Sequence, residues 1–387
     1  MAILANGGAV LGVAGALLST GALQMTGGAL PAATQYSAYS QSLAAYTYNG
    51  TPPYSFSIAS NGINAYSISG QNLTATPNIP WPADNITIQA SDSSSPRQTA
   101  VATFSVAVNY VLPAGAASLG YTQLLFINYP TVAQIYFDSP GNGGTPWYSG
   151  WPFGSPFPPE SLYGTSSDGG LQMNQLGTVS GGPDANTPWL SGVQLSNGTG
   201  VPPASTLQLI TLGDGYYVDY GVRIINPSAT TRPAVFEFPT QHNDANTQDL
   251  DPFDNTHRFL ENDTWEGAGT NEKQPPGWNG ATVYWYGATN ANTNHIAISN
   301  ATTPAQDVTK PHVYGKGYQP SNAESFFWLD NAPNGSAIPQ TPSGNLTAEQ
   351  LAFLNAMTYY LIIAALNDGT TPYGLVFYYV AVYGPPS

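Results

Sequence analysis

The sequence contains no cysteine and very few charged residues for its length. Of its 387 residues 7% are charged, with 7 basic against 22 acidic residues and a formal net charge of −15. Without cysteine, neither disulfide bonds nor thiolate metal sites can form. Seven scattered cations cannot build the basic stripe that binding to phosphates or anionic lipid requires. The sequence therefore predicts neither a nucleic-acid partner nor a membrane partner.

Long apolar runs are also missing, since no segment reaches 18 uninterrupted apolar residues, so a membrane-spanning helix is not expected. Residues 1–26 are rich in Ala, Gly and Leu. A secretory signal has a Lys or Arg before its apolar stretch, and here none precedes it. A signal peptide and an apolar arm packed against partner subunits both stay open, and the arm is favoured. An extracellular-type chain with such an arm indicates an assembled component of a virion surface, or another extracellular location.

In place of charge the chain has Gly (41), Pro (34) and Tyr (25). Frequent Gly and Pro favour many short strands joined by turns over long helices. Neutral glycans bind to aromatic faces and amide groups, so polysaccharide is the partner that this composition suggests. The four histidines include no i,i+4 pair, which excludes a zinc helix, and no cofactor is predicted.

Residues 27–112 are predicted to form a small β-sandwich. Tyr54, Phe56 and Ile58 alternate on one face of a strand, and residues 85–92 and 100–108 alternate in the same way. Strand signals about a dozen residues apart, with turn signals between them, are typical of such a sandwich. The segment resembles the Ig-like repeats of bacterial surface and phage proteins. That resemblance implies a spacer or an adhesive module without an active site.

After a Pro/Gly/Ala linker at 110–117, residues 118–387 show ten further strand signals separated by Pro- and Gly-rich loops. This pattern predicts an all-β chain whose second domain is a large two-sheet jelly roll. One helix is expected, capped by Thr347 with Gln350 completing a capping box. The predicted strands are 124–127, 132–137, 170–173, 207–212, 216–224, 234–238, 281–286, 326–329, 359–365 and 374–383.

The segment 258–267 holds three of the chain's 22 acidic residues within six positions: Glu261, Asp263 and Glu266. On a regular strand Glu261 and Asp263 share a face and Glu266 points away. A β-bulge at Thr264–Trp265 would return Glu266 to their side. Retaining glycosidases need two carboxyl groups about 5–5.5 Å apart on one face. The alternative is an acidic edge strand, with a structural Ca²⁺ held together with Asp251 and Asp254.

The second domain resembles glycoside hydrolase family 16, the laminarinase and lichenase type of β-glucanase with a concanavalin-like jelly roll. Five segments follow the order of that family's landmarks, and they span about 250 residues. They are GYYVDYGVRI at 215–224, RPAVF at 232–236, ENDTWE at 261–266, PHVY at 311–314 with FWLDN at 327–331, and YYVAVY at 378–383.

The resemblance implies that Glu261 is the nucleophile, Asp263 the supporting carboxylate and Glu266 the general acid/base. It also implies sugar-stacking walls, and the expected residues are Trp265, Trp285, Tyr286 and Trp328, with core packing as the alternative role for at least half of them.

The chain departs from the family pattern at three positions. Asn262 replaces an aliphatic residue whose side chain packs behind the site, and without hydrogen-bond partners it would cost on the order of 1–3 kcal/mol. Glu237 interrupts an apolar strand, and Arg232 replaces a tryptophan.

Two functions stay open. One is a virion-surface protein (decoration, tail or fibre) whose jelly roll either only binds host polysaccharide or binds and cleaves it. The other is an active secreted retaining endo-β-glucanase or depolymerase.

Overall fold

The computed structural model describes residues 9–11, 17–19, 21–137, 147–150, 157–177, 185–192, 210–228, 230–239, 250–253, 255–267, 279–287, 294–299, 307–321, 324–335, 338–339, 347–367 and 369–386. The chain divides into two compact units, residues 1–111 and 112–387. Each unit is a β structure. No helix in the described ranges is long and apolar enough to cross a membrane.

The first unit contains strands that are mostly short. They are β1 (Ala9–Leu11), β2 (Leu17–Ser19), β3 (Gln24–Met25), β4 (Gly28–Ala29), β5 (Ala33–Thr34), β6 (Tyr39–Ser42), β7 (Thr47–Tyr48), β8 (Ser55–Ser60), β9 (Ser67–Ser69), β10 (Asn72–Ala75), β11 (Trp81–Ser91) and β12 (Thr99–Asn109).

Two sheets of this unit enclose its core. One has the order β4-β12-β11-β8, with β5 also pairing with β12, and the other has the order β6-β10-β9. The side chains of β11 and β12 alternate between buried and more exposed positions. Ile86, Ile88, Phe104 and Val106 point inward and share one core with Leu73 of β10. The predicted sandwich strands are present, and the Ig-like assignment stays a prediction.

The predicted arm ends earlier than residue 26. Leu23 is buried, and its backbone N–H donates to the side chain of Gln98 over 2.8 Å. β3 pairs with β7. Residues 21–26 therefore belong to the first unit, because they add a strand and an apolar side chain to it.

The second unit contains longer strands. They are β13 (Gln123–Asn128), β14 (Ile135–Tyr136), β15 (Trp147–Ser149), β16 (Tyr163–Thr165), β17 (Leu171–Gln175), β18 (Trp189–Gly192), β19 (Ile210–Thr211), β20 (Tyr216–Ile225), β21 (Thr231–Pro239), β22 (His257–Glu266), β23 (Asn279–Gly287), β24 (Asn294–Ser299), β25 (His312–Gln319), β26 (Glu324–Leu329), β27 (Ala332–Pro333), β28 (Ile338–Pro339), β29 (Thr358–Asn367) and β30 (Tyr373–Gly384).

Two large sheets make up this unit, as predicted for a jelly roll. The β30 sheet has the order β16-β17-β30-β20-β25-β26-β27, with β13 pairing with β30 and β28 with β26. The β29 sheet has the order β14-β15-β18-β29-β21-β22-β23-β24, with β19 pairing with β29. One large apolar core takes side chains from both sheets. The second unit thus has the all-β fold expected of a concanavalin-like jelly roll.

The last two strands are central in their sheets. β29 pairs with β18, β19 and β21, while β30 pairs with β13, β17 and β20. Every residue of β30 is buried, as are nine of the ten residues of β29. Their near-continuous apolar sequences fit this position, because a central strand is covered on both faces.

In the described part of the second unit, two α-helices flank the sheets. The predicted helix is confirmed as α2 (Ala348–Asn355), with both hydrogen bonds of the Thr347–Gln350 capping box in place. The other helix, α1 (Ala114–Leu119), was not predicted and begins within the segment expected to be a linker. Its Gly115 lies against the rings of Tyr217 and Trp328, so this segment packs onto the β30 sheet.

Candidate active site

The acidic segment forms the C-terminal half of β22, and the predicted bulge is present. Asp263 is opposite Phe236 of β21, whereas Trp265 is opposite Val235, so one extra residue, Thr264, lies between the two pairs. The pairing with β23 shifts at the same place, between Asp263 and Glu266. A bulge changes the direction in which the following side chains point.

Three side chains around the bulge point into the space between the two sheets. Asn262 accepts a hydrogen bond from Lys316 of the β30 sheet over 3.1 Å. Thr264 donates to Glu237 over 2.9 Å, and Trp265 stacks on Tyr314 of the β30 sheet at 4.5 Å and 5°.

By alternation, Glu261, Asp263 and Glu266 lie on the opposite side of the β29 sheet. We call this side the carboxylate face. Asp263, in the middle of the three, is only 4% exposed. Burial raises the pKa of Asp263 well above its usual range, and the negative charges of Glu261 and Glu266 raise it further. Burial and the two like charges therefore both favour the protonated form of the central carboxyl group.

Four aromatic side chains lie on the same face of the β29 sheet as Asp263. Phe236 is its register partner on β21, and the ring of Trp189 on β18 meets Phe236 edge-on at 6.0 Å. Phe238 and Phe259 form a further edge contact at 5.3 Å. None of these four was identified from the sequence as a site residue. Of the four, Phe236 lies directly opposite Asp263, so its ring is the one placed to keep water from that carboxyl group.

Glu266 is engaged by Arg232, the residue that stands where the family pattern has tryptophan. The guanidinium Nη2 lies 2.5 Å and Nε lies 3.0 Å from Oε1 of Glu266. The side chains are 36% and 20% exposed, respectively. Arg232 thus covers one oxygen of the carboxylate to which the family resemblance assigns proton transfer.

Glu237 is fully buried between the sheets, directly behind the carboxylate strand. Its carboxylate accepts hydrogen bonds from Tyr216 (3.1 Å), Tyr220 (2.9 Å) and Thr264 (2.9 Å). Burial raises the pKa of Glu237, and the charge of Lys316 and these donors oppose the rise. Glu237 therefore interrupts the apolar strand as predicted, and hydrogen-bond donors surround its carboxylate.

Lys316 is the second buried charge behind the strand, and sequence analysis missed its role. It is 0% exposed, and its Nζ lies 5.3 Å from the ring centroid of Phe327 as well as bonding Asn262. Burial lowers the pKa of Lys316 to about 8, against the opposing charges of Glu237, Asp263 and Glu261. The sequence pattern that could have identified Lys316 is its position midway between Tyr314 and Tyr318, because this spacing places all three side chains on one face of β25.

Two of the four residues considered for sugar stacking have the alternative role, which is core packing. Trp265 is 1% exposed and stacks on Tyr314 in the core, because the bulge turns it inward. Trp328 lies in the other sheet and packs on Tyr217 at 5.3 Å, beneath Gly115 of α1. Trp285 and Tyr286 have backbone positions on β23 opposite Phe259 and Arg258, and their side chains lie outside the described residues.

Asp251, one of the two residues considered for a Ca²⁺ site, has other partners. It is fully buried and accepts from Arg258 Nε over 2.8 Å and from the backbone N–H of Phe253 over 2.9 Å. Asp254 lies outside the described residues. Within the part of the chain that the structure describes, no three His, Asp or Glu residues are grouped in a way that could hold a metal ion.

Solved structures of several glycan-cleaving enzymes are similar to this chain, although no protein-family model and no curated protein sequence matches it. An endo-1,3-β-glucanase from Streptomyces sioyaensis shares 13% identity over 69% of this chain and 98% of its own, with a TM-score of 0.43. A laminarinase from Rhodothermus marinus shares 15% identity over 68% and 98%, with a TM-score of 0.41. An endo-β-galactosidase from Clostridium perfringens shares 18% identity over 69% and 62%, with a TM-score of 0.40. At these identities the likeness concerns the fold alone and assigns no role to any residue here.

Proposed function

We propose that the second unit binds polysaccharide and cleaves it as a retaining endo-β-glycosidase. The observation that carries this proposal is the bulge at Thr264, which turns Glu266 to the side of Glu261 and Asp263. Two carboxylates on one face of a strand, with a third between them, are the groups that double displacement at a sugar carbon needs.

In the proposed reaction Glu261 attacks the anomeric carbon and forms a glycosyl ester. Glu266 gives its proton to the oxygen of the departing sugar, and it later takes a proton from the water that hydrolyses the ester. Asp263 lies between them in chain order, and its raised pKa supports a protonated carboxyl group that lends a hydrogen bond to a neighbouring carboxylate.

The test of this function is a comparison of wild-type protein with Glu261→Gln. We expect wild-type protein to release reducing ends from one of a panel of β-1,3-, β-1,4- and mixed-link glucans, agarose and carrageenan. Glu261→Gln should abolish that release, because an amide cannot act as the nucleophile. NMR of the first product should show retention of the anomeric configuration.

The matched control is Glu160→Gln, which makes the same change at an exposed glutamate in the short 3₁₀ turn Glu160–Leu162. This variant should keep wild-type turnover, and circular dichroism should show both variants folded. Unchanged turnover in folded Glu261→Gln would remove the nucleophile assignment.

Glycan binding without cleavage is the second candidate, and the Arg232–Glu266 ion pair favours it. A carboxylate oxygen that is bonded to two guanidinium N–H groups is not open to a leaving group. The sequence-based expectation of a virion-surface component, assembled through the N-terminal arm, belongs to this candidate.

Binding and assembly can be measured without turnover. Affinity electrophoresis in gels containing each glycan should retard the wild-type protein, and mass photometry should show an oligomer if the chain assembles. Retardation by a glycan that the protein does not cut would favour the second candidate over the first. A monodisperse monomer would count against assembly.

A further inference from the structure

Behind the carboxylate strand, two buried charges connect the two sheets of the second unit. Glu237 extends from β21 of the β29 sheet, and Lys316 extends from β25 of the β30 sheet. Both are 0% exposed, and no other lysine or glutamate of the described residues is buried to this degree.

Each of the two charges also bonds a residue of the bulged segment. Lys316 donates to Asn262, which immediately precedes Asp263, and Glu237 accepts from Thr264, which immediately follows it. Asp263 thus lies between two residues that are fixed from the core side. The bulge residue Thr264 is itself one of these two, so the pair also holds the irregular pairing in place.

We infer that Lys316 and Glu237 are positioning residues that act as an opposed pair, fixing the bulged strand from behind and setting the protonation of Asp263 from inside the fold. The effect of the pair on catalysis rests on the proposed function, whereas its effect on the titration of Asp263 does not.

The charges around Asp263 give the pair its opposed signs. Lys316 favours the ionised form of Asp263, while Glu237 disfavours it, as do Glu261 and Glu266 on its own strand. Lys316 is in turn acted on by the negative charges of Glu237, Asp263 and Glu261. The hydroxyls of Tyr216 and Tyr220 on β20 donate to Glu237. On the side of β29, the hydroxyl of Tyr359 donates to the backbone carbonyl of Leu260 on β22.

The experiment follows the carboxyl carbon of Asp263 by NMR as pH is varied, in protein labelled with ¹³C at the aspartate side chains. Loss of one signal in Asp263→Asn assigns the resonance. We expect Lys316→Met to raise the pKa of Asp263 by on the order of one unit, because it removes a positive neighbour. We expect Glu237→Gln to lower that pKa, because it removes a negative neighbour at nearly constant shape.

Shifts of opposite sign are the result expected of an opposed pair. A loss of packing alone would not reverse sign between the two variants, and equal or absent shifts would overturn the inference. Lys310→Met, at an exposed turn position, should leave the Asp263 titration unchanged. If Lys316→Met does not fold, Glu237→Gln alone tests the inference. A lowered pKa of Asp263 in that variant supports it, and an unchanged or raised pKa overturns it.

The activity of the same variants separates this inference from the proposed function. If the wild-type protein cleaves a glycan, the alkaline limb of its kcat/KM profile should move with the pKa of Asp263 in each variant, because the reaction uses the protonated form of this group. If no glycan is cleaved but the opposed shifts are found, the proposed function fails and the role of the pair in the titration stands.

Discussion

At the scale of single residues, a charge inside a β-sandwich is stable only where hydrogen-bond donors or an opposite charge surround it. Glu237 meets this condition through two tyrosine hydroxyls and one threonine hydroxyl from neighbouring strands. Lys316 meets it through the side-chain oxygen of Asn262, to which it donates, and through the opposite charge of Glu237. Substituting one member alone would leave its partners buried without compensation, so each single change is expected to cost stability.

Arg232 makes a residue-scale prediction, because it occupies an oxygen that the proposed reaction requires. We expect Arg232→Ala to raise turnover on a cleaved glycan by freeing Oε1 of Glu266. The unfolding free energy should change by no more than about 1 kcal/mol, since the ion pair is partly exposed. Kinetics and urea denaturation check both points, with Arg97→Ala in the first unit as control. A fall in turnover would show that Arg232 assists the reaction or binds substrate.

At the scale of elements, α1 owes its place to a glycine. A Cβ at Gly115 would come within 2.4 Å of the Tyr217 ring and 2.6 Å of the Trp328 ring. We therefore expect Gly115→Ala to destabilise the second unit by about 1–3 kcal/mol, although alanine is the better helix former. Gly164→Ala is the matched control, because a Cβ there meets nothing within 4 Å. Thermal unfolding of both variants measures the difference, and equal melting temperatures would contradict the close packing of α1.

Sequence patterns located the elements whose period is clear and missed those set by distant contacts. The alternation and apolar runs of β20, β29 and β30 predicted their positions, and the capping box predicted α2. By contrast, Ala114–Leu119 reads as a linker, because only its docking on Tyr217 and Trp328 makes it a stable helix. The first half of the strand predicted at 132–137 is instead a 3₁₀ turn, because the side chains of Thr131 and Gln134 form a capping box there.

The candidate site was predicted to a similar extent. The bulge followed from the spacing of the acidic residues, which is local information. The inward direction of Trp265, the position of Trp328 on the other sheet and the partnership of Lys316 with Asn262 all depend on which strands face each other. A single sequence without its sheet order does not contain that information.

At the scale of the whole second unit, the raised pKa of Asp263 links stability to pH. A group whose pKa is higher in the folded state contributes stability at low pH, and that contribution is lost as pH rises through the folded pKa. Between the unfolded and the folded pKa, where only the folded state keeps the proton, the unfolding free energy should fall by about 1.4 kcal/mol per pH unit. Glu237, whose pKa burial also raises, acts in the same direction.

Asp263→Asn should therefore reduce this slope and make the unit more stable than wild type above neutral pH. Urea denaturation at a series of pH values between 5 and 9 measures the slope. Asp214→Asn, at an exposed position in the turn before β20, should keep the wild-type slope. A slope unaffected by Asp263→Asn would mean that the proton is held elsewhere.

The central placement of β29 and β30 has a consequence for biosynthesis. Both sheets are assembled around the two strands that are translated after all the others in this unit. While residues beyond 357 are still inside the ribosomal tunnel, each emerged sheet lacks its middle strand and exposes unpaired edges on either side of the gap. Folding of this unit must then follow translation of these strands, and a ribosome that stalls shortly before them would present a nascent chain prone to aggregation and dependent on chaperones.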